Sequence, residues 1–547
     1  MPKPVAKLKA DGQALILKGD FNAALKKFTL ALGQTETDSQ LLVGRATCLN
    51  SLRRYSKAMN DATKATQLDR NCHEGWIQLA SSYEGVGDRS EAMSVLENGL
   101  DILSRAPVSK DKEKLTQEYE TKIGNLKDAV NVAMSALPDR LRFITVKEGE
   151  CRLSWDRANA LIPSLLEEGN RRSSAHVISE ARKMFESAND DMEKLEMTKM
   201  PTGTAYNGTT GAVQSFAYSM LKDTRAFSMD RTWMEKYLSQ VQFEVGALMV
   251  PEPEGPMFVL EQITAPVREL LKKGGWDAVR PAIVAAVSIS IMHGLHTANI
   301  MGDVEKCVQY LDGAIEIIRW GQQEWPDVPH RERGVVFDDM YLRALRSLRL
   351  EKYIDAWMTT EDDSARFTLE GILEEAGDIL DEFADPSTPV VEYANQPGFS
   401  SSFFYYPEAN CHACKGFYHL HKGYKLRQGG DKGKAKDQFD KAAQFYQTAA
   451  RRYPPDEEKS IQFFDMALTA MFEGEQPLRQ MLPIIFQILK TDKERTVKKI
   501  WEFSPLYQRL EPTIELLKTF NVNVEKKLRS GSISLDSCIS PRGAVCD

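Results

Sequence analysis

The 547-residue chain carries 70 Lys and Arg against 78 Asp and Glu, a formal net charge of −8, with 42% apolar and 27% charged residues. That is the balance of an ordinary folded surface with a mild acidic bias, and without a long basic stripe it argues against nucleic acid as a partner. At this length a single core stops growing, so two to four packed units or one long solenoid are expected.

Residues 1 to 12 hold lysines at 3, 7 and 9 with no apolar run behind them, so no secretory signal is read and a cytoplasmic location, or a nuclear one, is expected. The longest apolar run, Ala282 to Met292, is shorter than the roughly 20 residues of a membrane span, and predicts a buried helix with no membrane partner. The eight cysteines, at 48, 72, 151, 307, 411, 414, 538 and 546, are scattered, which predicts reduced thiols used as small core residues and no disulfide framework.

A 34-residue lattice organises the N-terminus. Ala24, Ala58 and Ala92 are 34 residues apart, and upstream of each turn the same lattice gives Gly12, Ala46 and Ala80. The turns fall at Gly19-Asp20, Arg53-Arg54 and Gly87-Asp88. Bulky residues follow it: Leu8, Leu42 and Trp76 open the first helices, Leu15, Leu49 and Tyr83 continue them, and Ala31, Ala65 and Gly99 close the second helices. Small residues mark close helix crossings, and large ones fill the space between them. In this order and spacing, residues 5 to 106 resemble the tetratricopeptide repeat family. The resemblance implies helix pairs that cannot bury their apolar faces alone, stacking into a superhelix with a concave groove that binds other proteins.

In that family the best-known ligand is the C-terminal Glu-Glu-Val-Asp of heat-shock chaperones, held by a clamp of lysine, asparagine and arginine side chains through charge-assisted hydrogen bonds. The matching positions here are Lys9, Gln13, Gly44, Glu74 and Gln78, of which only Lys9 keeps the family's residue. Glu74 and Gln78 replace two cations, so the resemblance implies the fold without this ligand unless Arg45 substitutes. A neutral or basic segment is the expected occupant, against Lys9, Gln13, Arg45, Glu74 and Gln78. Trp76 and Tyr83 are read as packing between helices.

Farther along, 107–137 reads as one long charged capping helix, 138–400 as an irregular helical body with weak repeat matches, 401–527 as a second repeat-like helical region, and 528–547 as a disordered tail. Segments 197–212, 250–256, 323–334 and 385–402, rich in Pro, Gly, Ser and Thr, are expected to be loops. No stretch sustains period-two alternation, so the predicted class is all-α: a helical-repeat superhelix followed by a repeat-like body. Two further matches lie in that body: Gly302-Asp303 with Cys307, Leu311 and Ala314, and Gly423, Gly430-Asp431, Ala435, Phe439 and Ala442.

Cys411, His412, Cys414 and His419, with His421 beyond them, are the candidate metal ligands. On a helix the two cysteines and the two histidines point along different faces, so no metal is expected unless other residues contribute. His293 and His296 lack the acidic partner of a zinc protease helix and are read as packed residues. Phosphate loops, dinucleotide fingerprints, nucleophile elbows and zincin motifs are missing, so neither a cofactor nor catalysis is expected. The function these features imply is a protein-binding scaffold or adaptor. A co-chaperone for a heat-shock chaperone tail, and a metal or enzymatic site in the C-terminal region, are the alternatives.

Overall fold

Small side chains at the lattice positions let the N-terminal helices cross closely, and the chain there forms helix hairpins: α1 (Val5–Leu17) with α2 (Phe21–Leu32), α3 (Ser39–Ser51) with α4 (Tyr55–Leu68), α5 (His73–Gly85) with α6 (Arg89–Ser104), then α7 (Lys110–Ser135). This computed structural model describes residues 4–35, 37–52, 54–85, 89–107, 109–135, 153–200, 203–229, 232–250, 260–359, 366–383, 396–494 and 496–539. Two compact units divide the chain, Met1–Phe143 and Ile144–Asp547.

In the first unit Ala24, Ala58 and Ala92 are fully buried, as are Ala31, Ala46 and Ala65. Phe28 of α2 wedges between α1 and α3, so that a Cβ on Gly12 or Gly44 would come within 2.8 Å or 2.5 Å of its ring. The first turn is set by Gly19, at φ +76°, where glycine is favoured, and by Asp20, whose carboxylate accepts from Ala23 N at 3.0 Å. The Gly87-Asp88 turn and Arg53 lie outside the described residues. The charged helix expected at 107–137 is amphipathic: α7 buries Tyr119, Ile123 and Leu126 against the third repeat.

The second unit runs α8 (Ser154–Glu167), α9 (Ser174–Glu193), strands β1 (Glu196–Met200) and β2 (Gly203–Asn207), α10 (Ala212–Lys222), α11 (Trp233–Ala247) and α12 (Leu260–His296). It continues with α13 (Val304–Glu324), α14 (His330–Arg333), α15 (Asp339–Thr359), α16 (Leu369–Phe383), α17 (Pro397–Ser400), α18 (Tyr406–Gln428) and α19 (Lys432–Arg452). The last helices are α20 (Glu458–Glu473), α21 (Leu478–Lys493), α22 (Lys498–Trp501) and α23 (Pro505–Arg529). The apolar run Ala282–Met292 is the core of α12. That helix is long and apolar enough to cross a membrane, but 78% of its apolar window is buried inside the unit, packed on residues such as Phe216, Tyr237, Ile315 and Leu345.

Both repeat matches in this unit take the geometry of the first repeat. Gly430 stands at φ +87° and Asp431 caps α19 through Lys434 N at 3.1 Å, while a Cβ on Gly423 would meet the Phe439 ring at 2.6 Å, as Gly12 meets Phe28. Gly302 stands at φ +74° and Asp303 caps α13 through Lys306 N at 2.9 Å, with Cys307, Leu311 and Ala314 fully buried behind it. A π-helical turn over Thr297–Met301 accommodates an extra residue before that turn, so Gly294 takes the close-approach position.

Five expectations are corrected here. Part of the segment expected as a loop at 197–212 is a two-stranded antiparallel ribbon, β1 with β2, and β1 shows no apolar–polar alternation because Glu196, Met197, Thr198 and Met200 are all exposed. In the 323–334 and 385–402 loops, α14 and α17 are helical. The boundary expected at residue 400 does not divide the body: Ala158 and Ala175 of α8 and α9 lie in one core with Phe439, Tyr446, Leu468, Ile485 and Trp501. The tail expected to be disordered from 528 continues α23 to Arg529 and then folds back. Pro477 cannot cap α21 with its side chain, and Leu478 N and Arg479 N donate instead to the carbonyls of Ser537 and Leu535, both at 3.0 Å. Cys48, Cys72, Cys307, Cys411 and Cys414 are free and buried, but Cys538 in this tail is disulfide-bonded, against the expectation of reduced thiols throughout.

Candidate partner-binding groove and a buried charge cluster

The first helices of the three repeats line one face of the N-terminal array, tied by side-chain hydrogen bonds. Lys9 on α1 donates to Gln40 Oε1 on α3. Asn50 on α3 donates to Gln78 O and Gln78 Oε1 on α5, both at 3.0 Å, and accepts from Ser82 Oγ at 2.8 Å. Gln13, one turn beyond Lys9, is exposed, and Glu74 is exposed in the first turn of α5, where its charge complements the helix dipole.

Arg45 does not join this face. Its guanidinium holds Asp61 of α4 with two hydrogen bonds of 2.7 Å, and it lines an open cleft of about 680 Å³ with Leu42, Lys64, Gln67 and Leu68, among residues of the second helices. Of the residues expected to form a groove, Lys9 and Gln13 lie on α1 and Glu74 and Gln78 on α5, whereas Arg45 of α3 turns toward its own hairpin partner, α4. Gly44, at the clamp's asparagine position, has the Phe28 ring where a side chain would stand. Trp76 is partly buried in the array's core and donates its indole N–H to Arg70 O at 2.9 Å, and Tyr83 packs beside the same core.

The Cys/His run lies on α18 with its groups on separate faces. Cys411 and Cys414 are buried among Leu350, Tyr353, Phe367 and Ile372, and burial pushes both thiols well up. His412 and His419 stack on Phe445, the latter at 5.2 Å between ring centroids, and His419 Nδ1 is 2.7 Å from Gln438 Oε1. Among the described residues no three His, Cys, Asp or Glu groups converge as metal ligands. His296 is buried and His293 half-buried against Tyr237, and their removal from water lowers them to about 3 and about 4.

The second unit also holds a buried charge cluster that no sequence motif marks. Arg225, just after α10, uses all five guanidinium N–H donors: Nε to Asp223 Oδ1 at 2.9 Å, Nη1 to Glu457 Oε1 at 2.7 Å and Glu458 Oε1 at 2.9 Å, Nη2 to Asp223 Oδ2 at 2.7 Å and Glu457 Oε2 at 3.0 Å. The guanidinium lies 3.8 Å from the Trp501 ring centroid. Tyr406 Oη donates to Glu457 Oε2 at 2.8 Å, Ser504 Oγ to Glu458, and Ser173 Oγ to Asp456 Oδ2 at 2.5 Å. Burial pushes the Asp223 carboxyl up, but the adjacent Arg225 outweighs it and holds the group below its usual value. Burial dominates at Glu458 and Asp456, which are raised. With every donor of Arg225 committed, the cluster's chemistry is cohesion between α9, α10, α18, α20 and α23. Its only trace in the sequence is the Asp456-Glu457-Glu458 run, a pattern that ordinarily means a solvated face.

No family model matches the chain. The heat shock protein sti1 homolog of Schizosaccharomyces pombe is 38% identical over 93 residues, 17% of this chain and 16% of that protein. Heat shock protein STI1 of Saccharomyces cerevisiae is 30% identical over 114 residues, 21% of this chain and 19% of that one. The small glutamine-rich tetratricopeptide repeat-containing protein 2 of the same yeast is 24% identical over 135 residues, 25% of this chain and 38% of that protein. The chain thus spans well under half the length of these relatives. Among solved structures, the Sgt2 TPR domain from Aspergillus fumigatus aligns at 21% identity over 28% of this chain and 95% of that one, with a TM-score of 0.22, too low to carry an argument. The 34-residue lattice, the helix hairpins built on it and these relatives agree: the N-terminal unit is a tetratricopeptide-repeat array, followed in sequence by an all-α body that reuses the same hairpin.

Proposed function

We propose that the chain is an adaptor that binds an extended segment of a partner protein on the face formed by α1, α3 and α5, in the cytosol or nucleus, and that this segment is not a Glu-Glu-Val-Asp tail. The observation that carries the reading is the state of the clamp positions. Phe28 fills the space at Gly44, Gln78 is held by Asn50, and Glu74 puts a negative charge where the tail's carboxylates would need a cation. Gln13 and Glu74, both exposed, offer polar contacts suited to a neutral or basic segment. Similarity to proteins named as the heat shock proteins sti1 and STI1 supports protein binding as the role.

Fluorescence anisotropy with a labelled peptide ending in Glu-Glu-Val-Asp tests the negative half. Negligible binding is expected, and a micromolar Kd, about −8 kcal/mol, abolished by Lys9→Ala, would overturn the assignment. For the positive half, partners retained by the full chain are compared with those retained by a Gln13→Glu, Glu74→Lys double variant whose helicity is unchanged. A partner lost only in the variant supports the groove, and identical sets of partners move the binding surface elsewhere.

A further inference from the structure

Beyond the groove, a cavity of about 370 Å³ opens in the second unit where the start of α8 meets the α22–α23 junction. That size falls in the range of roughly 300–1,000 Å³ common to small-molecule sites. Its walls are apolar: Trp155, Trp501, Phe503 and Leu506. The three aromatic rings share a feature. Each has a guanidinium over it: Arg182 at 4.4 Å from Trp155, Arg225 at 3.8 Å from Trp501, and Arg157 at 5.3 Å from Phe503. A ring already polarised by one cation attracts a second one weakly, so this box is a poor cage for an ammonium group and a good stacking surface for a neutral aromatic ring.

The polar groups around it decide the rest. Arg225 and Glu458 line the cavity but are saturated by each other and by Asp223, Glu457 and Ser504. Arg157 is paired with Glu502 and Arg182 with Glu186. Arg509, which also lines the cavity, is exposed and has no carboxylate partner among the described residues. It stands in the second turn of α23, so the positive end of that helix dipole lies on the same side.

We infer that this cavity binds a small aromatic acid, with its ring between the half-buried Trp155 and Phe503, the fully buried Trp501 forming the floor beneath them, and its carboxylate on Arg509. The shared chemistry could be presented by a free metabolite or by a chain terminus ending in an aromatic residue, and the test separates them.

Isothermal titration of the full-length protein with indole-3-propionate, tryptamine and 3-methylindole supplies the acid, the cation and the neutral ring. The acid is expected to bind saturably at one site and tryptamine at least tenfold more weakly. Arg509→Gln should cost the acid about tenfold, the loss of one charge-assisted hydrogen bond, while leaving 3-methylindole unchanged. Leu506→Trp, which fills the cavity from the helix surface, should abolish binding of all three with the thermal transition retained. A parallel titration with acetyl-Ala-Ala-Trp assigns the source: comparable affinity points to a chain terminus, and binding of the free acid alone points to a metabolite. The inference is overturned by absence of saturable binding of the acid, by equal affinity for acid and tryptamine, or by binding that survives Leu506→Trp.

Discussion

Arg225 illustrates how one side chain holds several elements. Its partners Asp223, Glu457 and Glu458 are at most 7% exposed, so removing the guanidinium strands three buried carboxylates. Breaking a buried ion pair from one side costs about 3–5 kcal/mol, and Arg225→Ala is expected to destabilise the second unit by at least that much in urea unfolding. Arg225→Lys should recover only part, because an ammonium cannot reproduce the two-pronged contacts. A loss under about 1 kcal/mol for the alanine variant would show the carboxylates finding other partners. His293 and His296 bear on acid stability. Their folded values of about 4 and about 3 lie below the unfolded 6.5, so the unfolded chain takes up protons first. Stability is complete above pH 6.5 and falls as the pH drops toward 4 and 3, by about 2 kcal/mol per histidine at pH 5. The raised carboxyls Asp456, Glu458 and Glu244 act in the opposite direction, gaining stability as they protonate. His296→Gln should flatten the decline between pH 7 and 5 in chemical denaturation, and an unchanged slope would refute the assignment.

At the scale of the element, one hairpin design recurs. A glycine in the left-handed region precedes an aspartate that caps the next helix at Asp20, Asp303 and Asp431. The aromatic wedge on glycine recurs as Phe28 on Gly12 and Phe439 on Gly423. Gly423→Ala should therefore cost about 1–3 kcal/mol through overpacking, although alanine ordinarily favours a helix. Asp431→Ala should cost about 1 kcal/mol through the lost cap. Thermal unfolding separates the two mechanisms: Phe439→Leu should relieve the first substitution and leave the second unaffected, and failure to relieve Gly423→Ala would remove the wedge argument. These hairpins were legible because glycine, aspartate and the aromatic sit at fixed offsets. The ribbon of β1 and β2 and the carbonyl cap from Leu535 and Ser537 were not, because backbone pairing leaves almost no mark on side-chain identity.

For the whole molecule, the second unit closes its core with helices distant in sequence. Trp501 Nε1 donates to Ser174 Oγ at 3.1 Å, and Arg157 donates to the carbonyls of Lys498 and Lys499. Residues 401–547 expressed alone should thus lack a cooperative transition, whereas 144–547 should unfold as one unit by circular dichroism. A stable, cooperative 401–547 fragment would contradict the shared core.

By itself the sequence determined the repeat array, the helical class and the two later hairpins, since each rests on residue types at short fixed spacing, where local geometry and steric fit act directly. Tertiary structure alone decided that Arg45 turns toward Asp61 of its own hairpin, that Cys411 and Cys414 face an apolar core apart from His412 and His419, that Asp223, Glu457 and Glu458 are buried around Arg225, and that aromatic rings from α8, α22 and the turn before α23 enclose a cavity. Those outcomes depend on which helix packs against which. Long-range packing is set by the summed burial of many apolar side chains, a quantity no local pattern of residues encodes.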